Sequence, residues 1–164
     1  MKIAIIFASV HHGNTRKVVE QIAQNNDVDL IDATQVKEKD LSEYDRIGFA
    51  SGIYYGKFHQ SVLNFASVNL PEYKEVFLIC THGGSAAYQS IETIIKDKHC
   101  NVIGKFSCKG YDTFGPFKLV GGIARDIRMR RTWRQRWSFI SLYDIIEWGD
   151  PWNLCCFFNY TKTV

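Results

Sequence analysis

Three short segments of the chain collect the residue types that hold ligands. Residues 9–15 read SVHHGNT, residues 51–59 read SGIYYGKFH, and residues 81–88 read THGGSAAY. In the first, Gly13 permits a tight turn and close backbone approach. Ser9, Asn14 and Thr15 offer hydrogen bonds. A helical pattern begins there, so unpaired N–H groups and the positive end of the helix dipole face the turn. That is a site for an anion, most naturally a phosphate. The segment GNT lacks the lysine and the spaced glycine of a triphosphate loop, so it suits a monophosphate. The same residues also suit an ordinary helix cap, with Ser9 or Asn14 holding the helix start. The loop alone does not separate the two.

The other two segments offer flat and narrow surfaces. Tyr54 and Tyr55 have the type and place to stack on an aromatic ring, or to pack beneath a loop. Gly52, Gly56, Gly83 and Gly84 let backbone amides reach a polar ring edge. His11, His12, His59 and His82 gather in the same loops. Their spacing matches no local metal motif, so they read as polar residues at the mouth of a ligand site. No metal ligand is assigned. No side chain stands out as an acid or base, and no catalytic residue is assigned.

These loops need a frame that brings them together. Residues 2–8, KIAIIFA, form a continuous apolar run, as in a strand buried on both faces. Residues 14–25 place Val18, Val19, Ile22 and Ala23 at helical spacing. VDLIDA, YDRIGFAS, KEVFLICT and NVIGKFSC read as four further strands. SVLNFASV and AAYQSIETIIKDK read as two further helices. Strands alternating with helices predict an α/β fold with a parallel sheet. Such sheets bind ligands beyond the carboxyl ends of their strands, where all three segments lie.

Composition sets the outer bounds. The 164 residues are 46% hydrophobic and 23% charged, enough for one domain with a real core. No apolar run approaches the ~18 residues of a membrane span. The N-terminal run MKIAIIFASV is too short for a secretory signal and reads as a buried strand, which predicts a cytoplasmic protein. The five cysteines, 80, 100, 108, 155 and 156, are odd in number and match no zinc pattern, so they read as reduced thiols. Residues 1–124 carry 13 Lys/Arg and 13 Asp/Glu; residues 125–164 carry 7 and 4. The excess positive charge therefore sits in the last segment.

On FASVHHGNT, SGIYYGKFH and CTHGGSAAY, residues 1–124 resemble the flavodoxin family. GKFSCKGYDTFGPFKLVGGIA is similar to the segment that follows the fifth strand in small bacterial members. The resemblance implies a doubly wound, three-layer, five-stranded parallel sheet of order 2-1-3-4-5 and a non-covalently bound FMN. It implies that Ser9, His11, His12, Gly13, Asn14 and Thr15 cradle the phosphate. Ser51, Gly52, Ile53, Tyr54, Tyr55 and Gly56 would flank the ring, and Thr81, His82, Gly83, Gly84 and Ser85 would lie near its polar edge. It further implies an electron carrier acting between redox partner proteins, with no membrane or nucleic-acid partner. Family carriers are usually acidic, whereas residues 1–124 are neutral. That departure leaves room for an NAD(P)H-dependent FMN or quinone reductase.

The chain divides on this reading into a flavodoxin-like domain, residues 1–124, and an atypical basic and aromatic segment, residues 125–164. The fold calls for a last amphipathic helix there. Instead, arginines at 125, 128, 130, 131, 134 and 136 would occupy every side of a helix. The leading expectation is a shifted reading frame near codon 125: compatible codons in the neighbouring frame spell AKGHPNAEDLEAAVEFY, a capped, amphipathic helix preceded by the family's Gly-His-Pro. The tail would then weaken the domain and its FMN site. The alternatives are a genuine basic module for nucleic acid or an acidic surface, and an unusual packed extension. A non-enzymatic nucleotide- or nucleic-acid-binding protein is the corresponding alternative function.

Overall fold

The computed structural model describes residues 1–110. The expectations for residues 111–164, including the shifted frame and the missing last helix, lie outside the described residues. The elements are β1 (Ile3–Ala8), α1 (Asn14–Asn25), β2 (Val28–Asp32), β3 (Arg46–Tyr54), β4 (Lys57–Phe58), α2 (Gln60–Asn69), β5 (Glu75–His82), α3 (Gln89–Asp97) and β6 (Asn101–Lys109).

Five strands lie parallel in the order β2-β1-β3-β5-β6. Counting only these parallel strands, this is the order 2-1-3-4-5. The five-stranded expectation needs one correction, because the sheet has a sixth strand, β4, paired antiparallel with β3. β3 continues through Tyr54, beyond the boundary at Ser51 that its sequence suggested. Tyr55 and Gly56 then turn the chain with φ of 52° and 77°. Two consecutive left-handed residues form the tight hairpin turn whose twist matches its strands. Ile53 pairs with Phe58 and Tyr54 with Lys57. α3 also begins later than expected, leaving Ala86 and Ala87 in the preceding loop.

β1 is buried on both faces because the sheet is covered on both sides. Its alternating side chains divide between two cores. Ala4, Ile6 and Ala8 join Phe49, Val62, Phe65, Leu78 and Ile91 beneath α2 and α3. Ile3, Ile5 and Phe7 join Val18, Val19, Ile22, Phe77 and Ile79 beneath α1. Gly48 is required where these layers meet the sheet. A Cβ there would lie 2.5 Å from the Phe77 ring. At the amino end of the sheet, Lys74 Nζ donates to the carbonyls of Ser42 and Tyr44 at 2.8 Å each, and the Tyr44 hydroxyl donates to Asp29 at 2.6 Å. That end is held by its own contacts, and the carboxyl end is left to the loops.

Candidate functional site: an anion cradle and an aromatic wall at the carboxyl end of the sheet

The first loop leaves β1 and enters α1 through two left-handed residues, His12 (φ 57°) and Gly13 (φ 66°). Gly13 is the N-cap and has no side chain to close the helix start. The Ser9 hydroxyl reaches over and accepts the Arg16 N–H at 3.2 Å. The first intrahelical bond runs from Lys17 N–H to the Gly13 carbonyl at 3.0 Å. The amides of Asn14 and Thr15 therefore stand ahead of the helical ladder, at the positive end of the dipole. The cap reading thus holds for Ser9, which caps an amide. A Cβ built on Gly13 meets only Lys17 Cε, at 3.9 Å, and one on Gly84 meets nothing within 4 Å. Space thus opens before the helix start and the third loop, and the residues present fit a phosphate.

Thr15 is buried, and its hydroxyl lies 2.8 Å from that of Thr81, also buried. One hydroxyl donates to the other, and the pair ties the start of α1 to the end of β5. Ser51 is likewise buried: its hydroxyl donates to the Gly52 carbonyl at 2.7 Å and accepts the His59 N–H at 2.8 Å, which closes the β3–β4 hairpin. Asn14 lies against Gly110, where a Cβ would come within 2.7 Å of Asn14 Nδ2, and the Gly110 N–H donates to the His82 carbonyl at 2.9 Å.

The second loop forms an aromatic wall. The Tyr54 ring sits between His11, at 5.6 Å, and His59, at 5.3 Å in an edge-on contact. Tyr55, at the hairpin tip, is 88% exposed. Ile53 turns inward and packs on the core. Gly52 lets the Tyr54 ring lie close, since a Cβ there would meet the phenol oxygen at 3.0 Å. These residues border a pocket of about 360 Å³ lined by Val10, His11, Tyr54, Tyr55, Lys57, Phe58, His59 and Gln60. In the third loop, His82 Nδ1 lies 3.0 Å from the Gly84 carbonyl, and Gly84 and Ser85 are exposed while Gly83 is half-buried.

The imidazoles of His59 and His82 stay neutral more readily than usual. Burial lowers the His59 pKa, and the nearby His11 lowers it further. His59 Nδ1 also accepts the Ser61 N–H at 3.2 Å, capping α2. Burial lowers His82 too, against the Gly84 hydrogen bond and with help from Lys109. Burial works against the Asp32 carboxylate, but hydrogen bonds from Thr34 and the Arg16 guanidinium, 2.6 Å away, outweigh it and hold its carboxyl below the usual range. Burial pushes the Cys80 thiol up to about 11, and pushes Cys108 up as well. Among the described residues the cysteines are free, and no group of three or more His, Cys, Asp or Glu could hold a metal.

Lys57, Gln60 and Gly110 were not among the site residues expected from sequence, whereas His59 was expected at the mouth of a ligand site and lines the pocket. The signal for the first two was the hairpin, carried by Tyr55-Gly56. Gly110 had no local signal, because its role depends on Asn14, far away in the chain.

The family of the flavodoxin domain matches residues 4–101. The uncharacterized protein MJ0298 of Methanocaldococcus jannaschii is 36% identical over 130 residues, covering 77% of this chain and 87% of that protein. The chain belongs to the flavodoxin family. Among solved structures, the Streptococcus pneumonia TIGR4 flavodoxin superposes with a TM-score of 0.53 at 18% identity, over 65% of this chain and 83% of its own. The flavodoxin, WrbA-like protein of Agrobacterium tumefaciens superposes with a TM-score of 0.51 at 17% identity, over 60% and 74%. These two likenesses concern the fold.

Proposed function

We propose that the chain binds FMN at the carboxyl end of the sheet and carries electrons between redox partner proteins. The observation that carries this reading is the junction of an anion cradle, at the start of α1, with the Tyr54 wall through His11. Phosphate and aromatic ring are the two ends of FMN. The amides of Asn14 and Thr15 and the Ser9 hydroxyl hold the phosphate; Tyr54 flanks the ring; Gly83 and Gly84 bring backbone amides to its polar edge. When bound, FMN supplies the redox chemistry, and the protein supplies position and electrostatics. The neutral His59 places no fixed positive charge beside the ring and keeps α2 capped. Among the described residues no helix is long and apolar enough to cross a membrane. The free thiols among the described residues support a cytoplasmic setting.

The test is an FMN titration of the purified full-length protein, followed by flavin fluorescence and the visible spectrum. The expected result is quenching with an endpoint near one FMN per chain. Folded protein that leaves FMN fluorescence unchanged overturns the reading. NAD(P)H added to the loaded protein separates carrier from reductase. Oxidation of NAD(P)H only at the background rate is expected, and steady turnover would make the chain a reductase.

A further inference from the structure

We infer that the open side of this site docks an acidic protein surface, the reverse of the polarity usual among the family's carriers. The inference rests on the FMN reading only in naming the partner as a redox protein. The charge itself is in the fold. The loops beyond β1, β3 and β5, residues 9–13, 55–59 and 83–88, contain no Asp or Glu. They contain His11, His12, Lys57 and His59, and His82 and Lys109 close the neighbouring strands.

The carboxylates nearest this end among the described residues are already matched. Asp32 pairs with Arg16 at 2.6 Å, and Glu92 pairs with Lys105 at 2.5 Å. Lys57 and Lys109 are exposed and make no ion pair among the described residues. Lys17 Nζ sits at the rim, 3.4 Å from the His12 carbonyl. Carboxylates that make no ion pair among the described residues gather at the other end: Asp29 early in β2, Asp45 before β3 and Asp97 at the close of α3.

The described residues carry 12 Lys/Arg and 12 Asp/Glu and are neutral in sum, yet folding separates their charge into two ends. A phosphate on the α1 cradle would take up the helix dipole there and leave Lys57, in the β3–β4 hairpin, and Lys109, at the end of β6, as the exposed cations. Tyr55, 88% exposed, and Val10, 50% exposed, line the same pocket as Lys57 and offer apolar contacts. Exposed apolar residues rimmed by like charge, beside a pocket, form a docking surface that an opposite charge steers and orients.

The probe is a fluorescent peptide of alternating Asp and Glu, titrated into the FMN-loaded full-length protein at low salt and followed by anisotropy. Flavin fluorescence is recorded first on the same sample, so that failure of the cofactor reading shows separately. Expected results are binding that falls steeply with salt and a loss of roughly tenfold or more in the K57E/K109E variant. A K37E/K96E variant, reversed at the opposite end, should bind as the wild type does. Circular dichroism checks that each variant is folded, and K57R/K109R should retain binding. Equal loss in the two reversal variants would overturn the inference, since the peptide would be reading net charge alone. So would tighter binding of a labelled single-stranded DNA that is lost in K57E/K109E, which would make this end a nucleic-acid surface.

Discussion

The hydroxyl pair Thr15–Thr81 can be dissected by three variants, T15V, T81V and the double. Valine keeps the shape of threonine and removes one hydroxyl. Each single change leaves the other hydroxyl buried without a partner, which costs about 1–3 kcal/mol. At ~2 kcal/mol, and roughly 2–4 °C per kcal/mol for a chain of this length, the melting temperature falls by about 4–8 °C. Removing both hydroxyls leaves no orphan, so the double variant should return close to wild type. The coupling energy, read from urea midpoints, should be ~2 kcal/mol or more, well above the few tenths seen for independent sites. FMN affinity should follow the same pattern, weakened in each single variant and recovered in the double, because the pair positions the loop from below. Additive single effects would refute the pairing. A loss of affinity in T15V that persists in the double would refute the positioning role and make the Thr15 hydroxyl a direct phosphate ligand.

Gly48→Ala places a Cβ 2.5 Å from the buried Phe77 ring and 3.1 Å from Ile5 Cγ1. Overpacking of this kind costs about 1–3 kcal/mol, read as a lower urea midpoint with little change in slope; an unchanged midpoint would show that the sheet gives way there. The histidines predict an acid profile. The folded pKa values of His59 and His82 lie below the ordinary 6.5. The unfolded chain therefore takes up these protons first as the pH falls. Their contribution is fully present above about pH 6.5 and is lost as the pH falls towards the folded pKa values. His59→Asn keeps a capping side chain and removes one titration, so it should flatten the midpoint-against-pH curve below about pH 6.5. An identical slope in the variant would exclude His59 as a contributor.

The repeating pattern was legible because each part of it is local. A continuous apolar run marks a buried parallel strand, and residues 14–25 show the helical period over their whole length; α1 spans those same residues. The β3–β4 hairpin was hidden because the sequence of Gly52 to Tyr55 resembles a ligand loop as much as a strand end. The left-handed pair Tyr55-Gly56 decided between them. The start of α3 was set too early because alanines favour a helix wherever they stand, and tertiary context overrides so weak a preference. Within the candidate site, residue type identified the loops but not the direction of each side chain. Ser51, Thr15 and Thr81 carry hydroxyls that suit a ligand and are buried in contacts with the protein itself.

Apolar periodicity along the chain thus determined the order of strands and helices, and the Gly, hydroxyl and aromatic content of three loops determined where a ligand site should be sought. Only the tertiary structure decided which of those groups contact the protein itself, because such contacts depend on neighbours dozens of residues away, such as Thr81 for Thr15 and Gly110 for Asn14. It also decided the electrostatics. A count along the chain is a sum and has no direction, so residues 1–124 read as neutral. A parallel sheet brings every strand's carboxyl end to one side of the molecule, and there Lys57 and Lys109, far apart in the chain, stand exposed with no ion pair among the described residues.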